Sequence, residues 1–182
     1  ETSISTKVRV VFNGSANSSN GVNLNQLLMT SPTIQLDLFS ILIRFRTHQV
    51  ALVADIEKMF RQILIEPSDR RFQTILWREH PELEIKHYQL STVTYGTACA
   101  PFLAVRCLHQ LAIENADKFP IASSCIKEDF YMDDLVSGAP SVEAAITLRE
   151  QLTSVLQSGG FKLYKWASNK NEVLPVQDNS HN

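Results

Sequence analysis

The chain has 182 residues, 44% of them apolar and 20% charged, and a formal net charge of −2. That length and balance suit one folded unit with a real core and point away from a disordered chain. No apolar run approaches the roughly 18 residues a membrane span needs, and the mild negative charge excludes a globally basic nucleic-acid binder while leaving room for a local basic groove.

Residues 7–12 (KVRVVF) alternate charged and β-branched side chains, the pattern of a half-buried strand, and Asn13-Gly14 then turns the chain. Residues 15–25 are polar and rich in Gly and Asn, which predicts an excursion loop. After Ser31-Pro32, residues 36–45 (LDLFSILIRF) carry apolar side chains at helical spacing and predict a buried helix. Residues 49–54 (QVALVA) predict a short strand that stops at Asp55, and 60–65 (FRQILI) resume an extended pattern. Two further strands are expected over 72–77 and 83–90, followed by a helix over 98–114 with Pro101 in its first turn.

Residues 130–137 (FYMDDLVS) run apolar, acidic, then apolar, which predicts a tight hairpin with two carboxylates at its tip. Residues 141–156 place Val142, Ala145, Leu148, Leu152 and Val155 on one helical face behind a Ser141 cap. Gly159-Gly160 ends that helix, and 161–166 (FKLYKW) alternate like a last strand. The element order is neither a βαβ repeat nor a bundle. It predicts an α+β fold, an antiparallel sheet with helices packed on one face. Residues 1–169 read as one unit and 170–182 as a polar tail that opens a further region.

Cys99, Cys107 and Cys125 form no CxxC pair, and an odd, scattered count fits reduced intracellular thiols better than disulfides or a zinc site. The chain starts at Glu1 without a signal or transit pattern and reads as a piece of something longer.

Two adjacent acids at a hairpin tip repel, and a divalent cation removes that penalty. Asp133 and Asp134, joined by Asp55 at the end of a neighbouring strand, would form a hard oxygen-ligand set that favours Mg²⁺ or Mn²⁺ over zinc. A pair of acids in a turn is often just a solvated loop. Here Phe130, Tyr131 and Met132 on one side and Leu135 and Val136 on the other put the pair inside a sheet, where acids serve few structural needs.

Tyr131, Met132, Asp133 and Asp134 resemble the YMDD-type box of reverse transcriptases, and the other boxes of that family follow in the same chain order. Residues 54–60 (ADIEKMF) resemble its first acidic box. The resemblance implies that Asp55 binds two metal ions, that the Ile56 carbonyl assists, and that Phe60 is the bulky gate excluding a ribose 2′-hydroxyl. Residues 7–13 resemble the fingers strand, with Lys7 and Arg9 as holders of the incoming triphosphate, a role that suits the planar guanidinium fork. Asn13 stands where Asp is usual. Residues 94–102 resemble the box in which a Gly, here Gly96, shapes the floor of the nucleotide and template site; Tyr95 stands where retroviral enzymes carry Gln. Residues 159–166 resemble the junction after the YMDD hairpin, which makes Lys165, with Lys162 behind it, the candidate to protonate leaving pyrophosphate. The finer wording of residues 39–46, 55–60, 130–138 and 159–169 is similar to the Bel-Pao class of long-terminal-repeat retrotransposons.

The resemblance implies a fingers-and-palm fold and an RNA-directed DNA polymerase. It also implies an RNA template, a DNA primer and deoxynucleoside triphosphates as partners, thumb and RNase H domains elsewhere in a polyprotein, and a cytoplasmic particle. Template choice would rest with base pairing, so the protein needs backbone contacts. Arg44, Arg46, Arg61, Arg70 and Arg71 are candidates for these, each competing with a plain solvated charge. One competing reading is an inactive remnant that only binds nucleic acid or a partner. Another is a metal-dependent phosphohydrolase; His48, His80, His87, His109 and His181 are scattered and offer it no base beside the acids.

Overall fold

A computed structural model describes residues 10–175. In chain order its elements are a one-turn helix α1 (Leu24–Leu27), helix α2 (Leu38–Phe45), strand β1 (Val50–Ile56), two 3-10 turns (Met59–Gln62 and Pro67–Gln73), and strands β2 (Thr74–Trp77) and β3 (Lys86–Gln89). Helices α3 (Ala100–Glu114) and α4 (Pro120–Glu128) follow, then strands β4 (Phe130–Tyr131) and β5 (Asp134–Ala139), helix α5 (Val142–Ser158), strand β6 (Leu163–Ser168) and a 3-10 turn at Asn171–Val173. The class is α+β with antiparallel sheets, as the element order predicted.

The main sheet has four strands in the order β4-β5-β1-β6, and β1, at its centre, pairs antiparallel with both neighbours. Alternation along β1 sends Val50, Leu52, Ala54 and Ile56 into the core. Their partners on β5 for the first three are Ala139, Ser137 and Leu135, all buried too. Ala104, Leu108 and Ala112 of α3, Ala122, Cys125 and Ile126 of α4, and Leu148, Leu152 and Val155 of α5 complete this core. Each fully buried Leu contributes about 1.5–3 kcal/mol. By the same alternation Ala51, Val53 and Asp55, with Gly138, Val136 and Asp134 opposite, lie on the other side of the sheet.

Local signals explain the boundaries. The Ser141 hydroxyl accepts from the Ala144 amide and starts α5, and Pro101 sits in the first turn of α3. The turn at Asn171–Val173 buries Val173 fully, and Arg149 donates to its carbonyl at 2.6 Å, so residues beyond 169 still contribute to the core.

Four expectations are corrected. Val10–Phe12 forms no strand, and the rest of the predicted fingers strand, with Lys7 and Arg9, lies outside the described residues. Helix α2 exists, but only Ile41 is buried while Leu38, Phe39, Leu42 and Ile43 are exposed. Its periodicity was a true helical signal without a partner on most of its circumference. Residues 60–65 are not a strand: Lys58 adopts the left-handed conformation, a 3-10 turn follows, and only Leu64 makes a bridge, to Thr92. Strands β2 and β3 form a separate two-stranded sheet. Helix α4 was not anticipated, because its buried face is made of Ala122, Ser123 and Cys125 besides Ile126, small side chains that give a weak apolar signal over nine residues.

Candidate active site

Asp55 and Asp134 are direct partners across β1 and β5. Opposed residues on one face of an antiparallel pair have Cβ atoms about 5 Å apart, where like charges repel. Asp133 occupies the two-residue turn between Tyr131 and Asp134, which are themselves paired. The Ile56 amide donates to the Asp133 carbonyl at 2.9 Å and ties that turn to the end of β1. Partial burial, then the charges of Asp133 and Asp55, raise the Asp134 pKa above the ordinary carboxylate value, while Lys165 opposes the shift.

Lys165 enters from β6. Between the pairs Val53–Ala167 and Asp55–Tyr164 the β6 strand carries one extra residue, a bulge, and Lys165 has a φ of 54° there. The bulge re-aims its side chain, so that Nζ lies 3.2 Å from Asp55 Oδ2 and 4.5 Å from the centre of the Tyr164 ring. Tyr164 first and Asp55 next raise the Lys165 pKa and favour the ammonium. Lys162 points elsewhere, to Glu57 Oε2 at 3.6 Å.

Among the described residues three non-glycine residues have positive φ: Lys58, Met132 and Lys165. Lys58 lies three positions after Asp55, Met132 precedes Asp133, and Lys165 contacts Asp55. Left-handed backbone at a non-glycine costs about 1–2 kcal/mol and collects at functional sites. Two of the three, Met132 and Lys165, adjoin the acids that the motif names.

The other predicted residues divide. Ile56 is fully buried, and its amide is used as described. Phe60 is half-buried in the turn after β1 and packs against the core. Tyr131 and Met132 flank the acids on the hairpin. Gly96 has a φ of 89°, and a Cβ there would overlap the Phe12 carbonyl oxygen. Asn25 donates to the Gly96 carbonyl at 3.2 Å and accepts from the Ala98 amide at 2.8 Å, while the Tyr95 hydroxyl donates to the Val10 carbonyl at 2.6 Å. Gly96 and Tyr95 thus clasp the segment leading from residue 10. Among the arginines, Arg61 stacks over Tyr95, Arg71 over Phe72, and Arg70 donates to the Ile65 carbonyl.

Arg44 is not a solvated charge. It pairs with Asp129 at 2.7 Å, and buried Asp129 also accepts from Ser137 at 2.6 Å. The sequence reading missed Asp129, although an acid directly before the apolar start of the hairpin was a visible signal. It missed Gln35, which accepts from the Met132 amide, because a lone Gln before a helix carries no pattern.

Asp55, Asp133 and Asp134 supply the hard carboxylate oxygens that Mg²⁺ or Mn²⁺ prefers, and the crowding that raises Asp134 is one a divalent ion would relieve. The donor set fits such an ion in chemistry and charge. Among the described residues, however, the acids are not gathered into a three-ligand cluster, and Lys165 supplies the positive charge at Asp55.

Among the described residues no helix is long and apolar enough to cross a membrane. The family model described as reverse transcriptase (RNA-dependent DNA polymerase) matches residues 13–173, which includes all three acids and Lys165. No curated protein matches the chain.

Proposed function

The chain belongs to the reverse transcriptase family, RNA-directed DNA polymerases that act on nucleic acid and deoxynucleoside triphosphates, and from that premise we propose that Asp55, Asp133 and Asp134 carry its nucleotidyl transfer. The observation that carries this reading is the Asp55–Asp134 pairing beside Asp133, with left-handed Met132 next to Asp133 and left-handed Lys165 in contact with Asp55. Two bound Mg²⁺ or Mn²⁺ ions would lower the pKa of a primer 3′-hydroxyl and neutralise charge on the triphosphate. Within the chain, the three carboxylates hold that charge in place, and the Lys165 ammonium beside Asp55 offers a proton or positive charge to leaving pyrophosphate. Phe60, fixed against the core, excludes a ribose 2′-hydroxyl. Gly96 shapes the site floor through its clasp on the segment from residue 10, and Lys7 and Arg9, upstream of that segment, hold the triphosphate.

In this reading the helix-backed sheet is the palm and the β2–β3 hairpin with the residue 10–16 segment belongs to the fingers. The parent is a Bel-Pao class retrotransposon polyprotein with thumb and RNase H domains, working in a cytoplasmic particle. The wording of residues 39–46 and 130–138 supports that origin. An inactive, nucleic-acid-binding remnant draws on one observation, that Lys165 pairs with Asp55 while the acids stay ungathered.

Single-nucleotide primer extension on an RNA template, with Mg²⁺ or Mn²⁺, separates the two. Extension by the chain, abolished by Asp133→Asn, with Phe60→Ala gaining ribonucleotide incorporation, supports the polymerase. Primer-template binding without extension supports the remnant.

A further inference from the structure

The hairpin that carries Asp133 and Asp134 is gripped at both ends by the segment around α2. At the tip, the Met132 amide donates to Gln35 Oε1 at 3.1 Å. At the base, Arg44 Nε donates to Asp129 Oδ1 at 2.7 Å, and an Arg44 terminal nitrogen donates to the Glu128 carbonyl. Asp129 passes the grip to the returning strand: its Oδ2 accepts from the Ser137 hydroxyl at 2.6 Å and its carbonyl from the Val136 amide at 2.9 Å.

The Asp37 carboxylate caps α2 by accepting from the Ser40 amide at 2.9 Å, which fixes the helix N-cap two residues after Gln35. The tip needs such a hold. Met132 is left-handed without being glycine, a state that persists only when its surroundings over-determine it. In a two-residue hairpin turn the amide of the first turn residue has no ladder partner, and Gln35 supplies one.

We propose that Gln35, Arg44 and Asp129 are positioning residues, and that the α2 segment splints the hairpin so that Asp133 and Asp134 keep the geometry nucleotidyl transfer requires. The inference rests on the polymerase reading of those two acids. None of the three touches substrate; each acts through Met132 or the hairpin base. Catalysis is sensitive to small misplacement of reacting groups, so a loosened tip slows the chemical step while leaving nucleotide and primer binding in place.

The test compares the full chain with Gln35→Met, which keeps length and loses the acceptor, and Gln35→Glu, which keeps an acceptor oxygen; Asp133→Asn is the control. Gln35 lies outside the core, so these variants fold where an Arg44 or Asp129 change is a greater risk. Amide exchange at Met132 is expected to accelerate about two- to ten-fold in Gln35→Met, the worth of one hydrogen bond, and to stay near wild type in Gln35→Glu. Single-turnover extension should slow by a similar factor in Gln35→Met alone, with Tm lowered by no more than about 2–4 °C and nucleotide KM and primer-template Kd unchanged. Unaltered Met132 exchange, or faster exchange with undiminished extension, overturns the positioning role alone. A wild-type chain that does not extend, or an Asp133→Asn chain that does, overturns the polymerase reading and the positioning role with it.

Discussion

Asp55 and Asp134 face each other across β1 and β5, and Lys165 is bonded to the first of them only. The pair is a standing like-charge contact in the fold. Because the Asp134 pKa is raised, the folded chain holds that proton more tightly than the unfolded chain does, and ionised Asp134 weakens the fold. The penalty is absent below the ordinary value of 3.8 and complete above the raised native value. Asp134→Asn should therefore be more stable than wild type at pH 7 in EDTA, by no more than about 1 kcal/mol at this exposed position. The gap should close as pH falls below 3.8. Thermal melts from acid to neutral pH check it; a wild type equal to the variant at pH 7 contradicts it.

The Arg44–Asp129 pair joins α2 to the base of the hairpin, with Asp129 buried and about a third of the Arg44 side chain exposed. Arg44→Met leaves a buried carboxylate facing the Ser137 hydroxyl and the Cys125 thiol, with no positive charge beside it. A loss of about 2–4 kcal/mol is expected, below the upper range for fully buried pairs because Arg44 keeps some solvent. Urea denaturation measures it, and a loss under about 1 kcal/mol would place Arg44 among ordinary surface charges.

Gly96 has neither the φ nor the space for a side chain. Gly96→Ala should push away the Phe12 backbone and cost about 1–3 kcal/mol. Faster amide exchange at Ala98, whose amide bonds to Asn25 in the same clasp, should accompany the loss. Stability and exchange both at wild-type level would show that the clasp yields freely.

Lys58 is left-handed, and its exposed side chain makes, among the described residues, a single ion pair, with Glu57 at 3.4 Å. Lys58→Gly removes the strain and little else, and should stabilise the chain by about 0.5–1 kcal/mol after the added flexibility of glycine is counted. Chemical denaturation reads the gain. A loss instead would mean that the ion pair outweighs the strain.

The amino-acid sequence by itself determined the features that depend on near neighbours along the chain. The short apolar run QVALVA, the Ser141 cap, Pro101 in a first turn and the apolar flanks of Asp133-Asp134 each specify an element or a turn within a few residues, and the structure has them. The motif also singled out Asp55 and Asp134 as belonging together. Only the tertiary structure decided what depends on distant partners. Sheet register put Asp55 opposite Asp134, and a bulge, invisible in an alternating stretch, turned Lys165 onto Asp55. Arg44 meets Asp129 across 85 positions and Gln35 meets Met132 across 97. No local pattern encodes such pairs, because each residue's hydrogen bond is completed by packing elsewhere in the chain. The exposed side of α2 has the same cause: periodicity specifies that a helix has an apolar face, and packing alone decides whether anything covers it.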